Sequence, residues 1–156
     1  MRFQLLLLSS ALLFSVAHTK PLAQDLIVFR KNFSRFSVEE ITHMFADGLS
    51  SNTPRQTNKY ITFSKVSSNA NNLIFSLRIS KKNFISSTDI VDIDTNNDLK
   101  FRYIRNATHP HFMSLCSTPS VYVALEKGMS ITYNCFWQDG SYFGTSAVSL
   151  RDCDDE

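Results

Sequence analysis

The 156-residue chain reads as an α+β domain: one antiparallel sheet of four or five strands, built from two hairpins, with helices packed on one face. Three observations predict it. Two pairs of strand-like segments are each joined by a short turn-forming stretch. Helical stretches with recognisable caps stand before and between those pairs. A cysteine opens the second of those helical stretches, and another follows the last strand. Low glycine and proline and 13 phenylalanines suit a packed core.

At the N-terminus, Met1–Ala17 has the three parts of a secretory signal peptide: Arg2, an apolar run from Leu5 to Val16, and Ser15-Val16-Ala17 as a small-x-small cleavage site. That run is too short to span a bilayer, and no later stretch reads as an integral membrane segment. No cysteine stands near the cleavage site to carry a bacterial lipid anchor. The expected product, of roughly 139 residues, is one domain preceded by an arm. Losing Arg2 lowers the formal charge from +2 to +1. Without a basic stripe, nucleic acid is not an expected partner.

Residues 18–36 form that N-terminal arm, in which Leu26, Ile27, Val28 and Phe29 mark an early strand or a partly ordered segment. The domain proper is 37–156. It opens on Ser37-Val38-Glu39-Glu40, a capping box in which serine and glutamate satisfy each other's backbone donors. The helix it starts runs to about Asp47, with Val38, Ile41, Met44, Phe45 and Leu49 on one face and Gly48 as its stop. Ser50–Asn58 reads as a loop. Tyr60–Val66 and Leu73–Ile79 read as strands joined through Ser67–Asn72. Lys81–Leu115 is the least legible part, with a strand expected at Ile90–Ile93, an extended or helical piece at Leu99–Ile104, and a helix leading into Cys116.

The C-terminal half is sharper. Ser117-Thr118-Pro119 starts a short helix whose stripe is Val121, Tyr122, Ala124 and Leu125, and Gly128 ends it. Met129–Trp137 alternates, with Ile131, Tyr133, Cys135 and Trp137 on the core face. Asp139-Gly140 suits a two-residue turn, and Tyr142–Leu150 is the return strand. That loop length pairs Ile131 with Val148, Cys135 with Gly144, Phe136 with Phe143 and Trp137 with Tyr142. A helix lying across this hairpin brings Cys116 to Cys153, and closing the loop between them stabilises by about 4 kcal/mol in the chain-entropy picture. Cys135 is left as a free thiol, either a small core hydrophobe or a reactive or intermolecular group.

Catalytic chemistry finds little to use. Asp92, Asp94, Asn96 and Asp98 alternate in the manner of a calcium loop but lack its glycine and final glutamate. His109-Pro110-His111 offers two imidazoles in what reads as a proline-bent surface loop, with no further metal ligand at standard spacing. There is no G-x-S-x-G and no glycine-rich phosphate loop. No catalytic residue, metal or cofactor is therefore assigned. Asn32 and Asn106 head glycosylation sequons. The surface singled out for a partner is the outer face and tip of the last hairpin: Phe136 and Phe143 as cross-strand neighbours, with Trp137 and Tyr142 close by.

The residues Cys116-Ser117-Thr118-Pro119, Leu125, Gly128, Ile131-Thr132-Tyr133, Asp139-Gly140 and Asp152-Cys153 follow a capped helix and two strands. This layout resembles a group of small exported bacterial proteins and is similar to the α/β class of secretin pilotins. The resemblance covers roughly Val38 to Cys153. It implies an α+β fold, a Cys116–Cys153 bridge and a periplasmic or secreted life, and it carries over no catalytic residue. Pilotins are typically lipoproteins that bind a secretin segment and guide it to the outer membrane. The expected function is thus an exported, non-enzymatic domain that binds another protein through its sheet edge or hairpin face. A small secreted hydrolase or toxin is the alternative, and it needs a cleft bringing His43, His109 or His111 to Cys135 or a serine.

Overall fold

A computed structural model describes residues 20–85 and 92–154. The expected signal peptide lies outside the described residues, as do Ile90 and Val91 of the expected strand. The remainder of that strand, Asp92 and Ile93, belongs to a turn.

Two elements open the chain. Helix α1 (Ala23–Phe33) replaces the strand or loose arm expected there. Consecutive Leu26-Ile27-Val28-Phe29 suggested a buried strand, since periodicity alone does not separate short apolar runs of the two kinds. Helix α2 (Val38–Ser50) begins as the capping box requires: Glu40 N–H donates to Ser37 Oγ at 3.2 Å, and Ser37 N–H donates to Glu40 Oε2 at 2.7 Å.

The sheet has five strands in chain order: β1 (Arg55–Gln56), β2 (Ile61–Asn69), β3 (Asn72–Ile79), β4 (Ser130–Trp137) and β5 (Tyr142–Val148). The short β1 lies within the expected loop Ser50–Asn58. Strands β2 and β3 run further than expected and meet at a tight turn, Ala70-Asn71, whose Ala70 adopts φ 51°. Asn71 Nδ2–H donates to Gly128 O at 2.8 Å, tying this turn to the start of β4.

The two hairpins join through one parallel pair, with Leu73 beside Ile131 and Ile79 beside Trp137. The sheet is therefore mixed, though mostly antiparallel. A parallel neighbour needs a long crossover, and residues 80–129 supply it. They hold α3 (Lys81–Phe84), α4 (Asn97–Cys116) and α5 (Pro119–Glu126). Helix α4 is capped by Asn96, whose Oδ1 accepts from the Asp98 and Leu99 amides. Proline enters α5 in its first turn, and Gly128, at φ +100°, takes the left-handed position just past its end.

The helices cover one face. Leu73, Phe75, Leu77 and Ile79 of β3 and Ile131, Tyr133, Cys135 and Trp137 of β4 are all buried beneath them. The intervening residues Asn72, Ile74, Ser76 and Arg78, with Ser130, Thr132, Asn134 and Phe136, keep their exposure on the other face. After β5 a 3₁₀ turn, Leu150–Cys153, delivers Cys153 to Cys116 with a Cα–Cα distance of 5.6 Å. The expected bridge is present, and Cys135 is a buried free thiol.

Candidate functional site

The tip of the last hairpin departs from the expected pairing. Ile131 pairs with Val148 and Cys135 with Gly144 as expected, but Phe136 pairs with Tyr142. The loop has three residues rather than two. Trp137 N–H donates to Ser141 O at 2.9 Å, and Gly140, at φ +89°, sits third in the loop. Asp139 fixes it by accepting from Ser141 N–H at 2.8 Å and Ser141 Oγ–H at 2.6 Å, and these bonds hold its carboxyl below the usual range. A bulge next to Phe143 absorbs the extra residue and re-aims that side chain.

The four aromatic residues assigned to one partner surface are thereby separated. Phe143 is 2% exposed and lies against Trp137, itself buried, with ring centroids 4.0 Å apart. Tyr142, expected on the core face, is 62% exposed and meets Phe136 edge-on at 5.8 Å. The open face at this end is thus Phe136 and Tyr142. They stand beside a hydrogen-bonded row in which Thr145 Oγ1–H donates to Asn134 Oδ1 at 2.9 Å and the Tyr142 hydroxyl lies 2.7 Å from Thr145 Oγ1.

The histidines resolve into unlike environments. His109-Pro110-His111 is not a surface loop, because Pro110 lies inside α4. Tyr103, Ala107, His111 and Leu115 recur every fourth residue and carry the helical signal that the proline obscured. His111 turns under the sheet, where its Nδ1 and the Tyr133 hydroxyl share a 2.9 Å hydrogen bond and the Phe63 and Phe75 rings lie 4.4 and 5.0 Å away. Burial, with a smaller contribution from the Arg55 charge, lowers its pKa to about 4. Burial likewise pushes the Cys135 thiol up to about 12, so it is no thiolate at neutral pH. His43 contacts a serine and a carboxylate, with Nδ1 3.3 Å from Ser68 Oγ and Nε2 3.4 Å from Asp47. That cluster is solvated, its His43 and Asp47 side chains about two-thirds exposed, and it lacks the water-excluded pocket that stabilises an acyl-transfer intermediate. Among the described residues no group of three metal-ligating side chains converges.

A concave feature lies elsewhere. A cleft of about 190 Å³ runs between α4 and the free edge of the sheet, along Ser146-Ala147-Val148 of β5. Its floor includes Ile104 and Phe112 of α4, and its rim carries the exposed Phe101 and Arg105, with Asp152 closing one end. Gly144 sets how closely the walls meet, since a Cβ there would lie 2.3 Å from Ile104 Cδ1. Asp152 is already engaged, accepting from Ser149 N–H at 2.7 Å, and the Cys116–Cys153 bridge ties the C-terminus of α4 to the adjoining 3₁₀ turn. Of its lining residues, His109 was singled out from the sequence as one of the two imidazoles and Asp152 as part of the pilotin-like layout; the rest were not assigned to a site. The cleft exists only where α4 and β5 come together, and no local pattern encodes that meeting.

No family model matches the chain, and no curated protein matches it in sequence. Solved structures do share its fold. The pilotin EpsS of the Vibrio vulnificus type 2 secretion system superposes with a TM-score of 0.55 at 14% identity, covering 76% of this chain and 94% of that one. The type II secretion pilotin AspS of Vibrio cholerae gives 0.53 at 14% identity, over 82% and 98%. A protein of Pseudomonas aeruginosa described as secreted gives 0.51 at 18% identity, over 74% and 92%. The pilotin-like layout expected from the residues is present as a fold.

Proposed function

We propose that this chain is an exported, non-enzymatic protein-binding domain that serves bacterial envelope or secretion machinery and takes a segment of its partner into the cleft between α4 and β5. The cleft carries the reading: Ile104 and Phe112 offer an apolar floor, and Arg105 offers a charge at the rim that forms no ion pair among the described residues. An apolar side chain seated on that floor, with a carboxylate nearby to meet Arg105, is the occupant it suits. The likeness to pilotins supports the setting, and a secretin segment is the partner that likeness suggests. The disulfide supports an oxidising compartment outside the cytoplasm.

A photo-crosslinking amino acid placed at Ser146, which lines the cleft and lies opposite Tyr133 on the covered face, tests this in exporting cells. The expected result is an adduct with an envelope or secretion component. The same probe at Lys65, an exposed residue on the distant β2, should give none. Phe101→Glu combined with Arg105→Glu, both at exposed positions, should reduce the Ser146 adduct at least tenfold. An adduct from Lys65 of equal strength, or one indifferent to the rim substitutions, would sink the proposal.

A further inference from the structure

Helix α1 is covered on one side only. Leu26-Ile27-Val28-Phe29 are consecutive, and with 3.6 residues per turn four such neighbours point all round the axis, so some of them face away from the core. Here α5 takes one side: Leu26 is buried, Phe29 and Phe33 are half-buried, and Arg30 binds Glu126 of α5 through bonds of 2.9 and 2.6 Å. Ile27 stays 62% exposed and Val28 54% exposed. With Leu22 at the N-cap, 74% exposed, these account for three of the five exposed large hydrophobics among the described residues. Scattered apolar residues on a surface are ordinary, but a cluster of them marks a contact.

The charges on that side indicate what the contact is. The spacing Gln24, Ile27/Val28, Lys31, with Arg35 in the turn that follows, forms one stripe. Lys31 has no ion pair among the described residues, and the Arg35 guanidinium lies 5.9 Å from the Phe36 ring. Asp25, in the first turn, is the acid on its flank. Aliphatic side chains set among long cationic ones suit an anionic lipid surface, where the former enter the headgroup region and the latter reach phosphate. No described helix is long and apolar enough to cross a membrane, so the contact would lie in the interfacial plane. We propose that the outward face of α1, formed by Ile27, Val28, Lys31 and Arg35, docks this protein on an anionic bilayer surface.

The chain recovered from the envelope of expressing cells is sedimented with phosphatidylcholine vesicles, with and without about a third phosphatidylglycerol. It should pellet with the anionic vesicles, stay free of the neutral ones, and be released by high salt, as an electrostatic attachment requires. Ile27→Ser with Val28→Ser, and separately Lys31→Glu with Arg35→Glu, should each weaken vesicle binding at least tenfold. Thermal midpoints should hold, since all four side chains face solvent. The proposal is overturned if the unaltered chain does not pellet with anionic vesicles, if it pellets equally with neutral ones, or if both double variants bind as before. A dimer in light scattering that Ile27→Ser with Val28→Ser dissolves would assign the face to a second copy and overturn it as well.

Discussion

The two faces of the sheet are made from the same strands yet carry different burdens. On the covered face, Leu73, Leu77, Ile79, Ile131, Tyr133 and Cys135 are wholly enclosed. On the open face, alternate positions are filled by Ser, Thr and Asn, with Ile74, Phe136 and Tyr142 as the bulky residues. Burying an aliphatic or aromatic side chain stabilises by about 1.5–3 kcal/mol, so the covered face carries most of the folding energy. The difference teaches that substitutions on the open face, on the outward side of α1 and at the cleft rim can be read as changes in binding, while those on the covered face report folding.

Neighbouring residues at the bulge put that division to its hardest test. Phe143→Ser removes a buried ring from Trp137 and leaves a cavity with a hydroxyl in it, and should cost about 4 kcal/mol in urea unfolding. Tyr142→Ser, one position away, should cost well under about 1 kcal/mol. A larger cost for Tyr142→Ser than for Phe143→Ser would mean that the hairpin follows the two-residue pairing after all, and that the two faces are wrongly divided here.

That hairpin also shows where the sequence was legible and where it was not. Alternation in Leu73–Ile79 and Ile131–Trp137, the Ser37 capping box, Pro119, Gly128 and the Cys116–Cys153 closure are local signals, and each sits where expected. Asp-Gly suits loops of two residues and of three, so nothing in it announced the bulge that turned Phe143 inward. Helix α1 was obscured by an unbroken apolar run and α4 by its internal proline. The parallel junction of β3 with β4 depends on where a fifty-residue crossover returns, which strand patterning does not record. The cleft inherits that difficulty, since one wall is α4 and the other is the sheet edge.

A titration draws the same distinction more finely, because the His111 ring reaches the covered face whereas His43 stays in solvent. The folded-state pKa of His111, about 4, lies below its ordinary 6.5. Between those values the unfolded chain binds a proton that the folded chain refuses, so the contribution of His111 to stability is constant above pH 6.5 and falls as pH drops from 6.5 towards 4. The loss is at most about 3 kcal/mol, less to the extent that water reaches the partly exposed residue. Urea midpoints at pH 7 and pH 4.5 should differ less in His111→Gln than in the unaltered chain. If His111→Gln keeps the full slope, the imidazole is not sequestered beneath the sheet.

The smallest effect belongs to the open face itself. Phe136 and Tyr142 meet edge-on at 5.8 Å, and an aromatic pair of this kind contributes about 0.5–1.5 kcal/mol beyond area burial. Phe136 keeps part of its surface in water and Tyr142 most of it, so Phe136→Ser with Tyr142→Ser should cost about 1 kcal/mol in urea unfolding. Neither residue lines the α4–β5 cleft, and the double variant should therefore retain the Ser146 crosslink at full strength. A variant that folds as well as the unaltered chain yet loses that crosslink would move the partner's footprint from the cleft onto the hairpin face. A variant that fails to fold would show that Phe136 and Tyr142 support the hairpin far more than an exposed ring pair should.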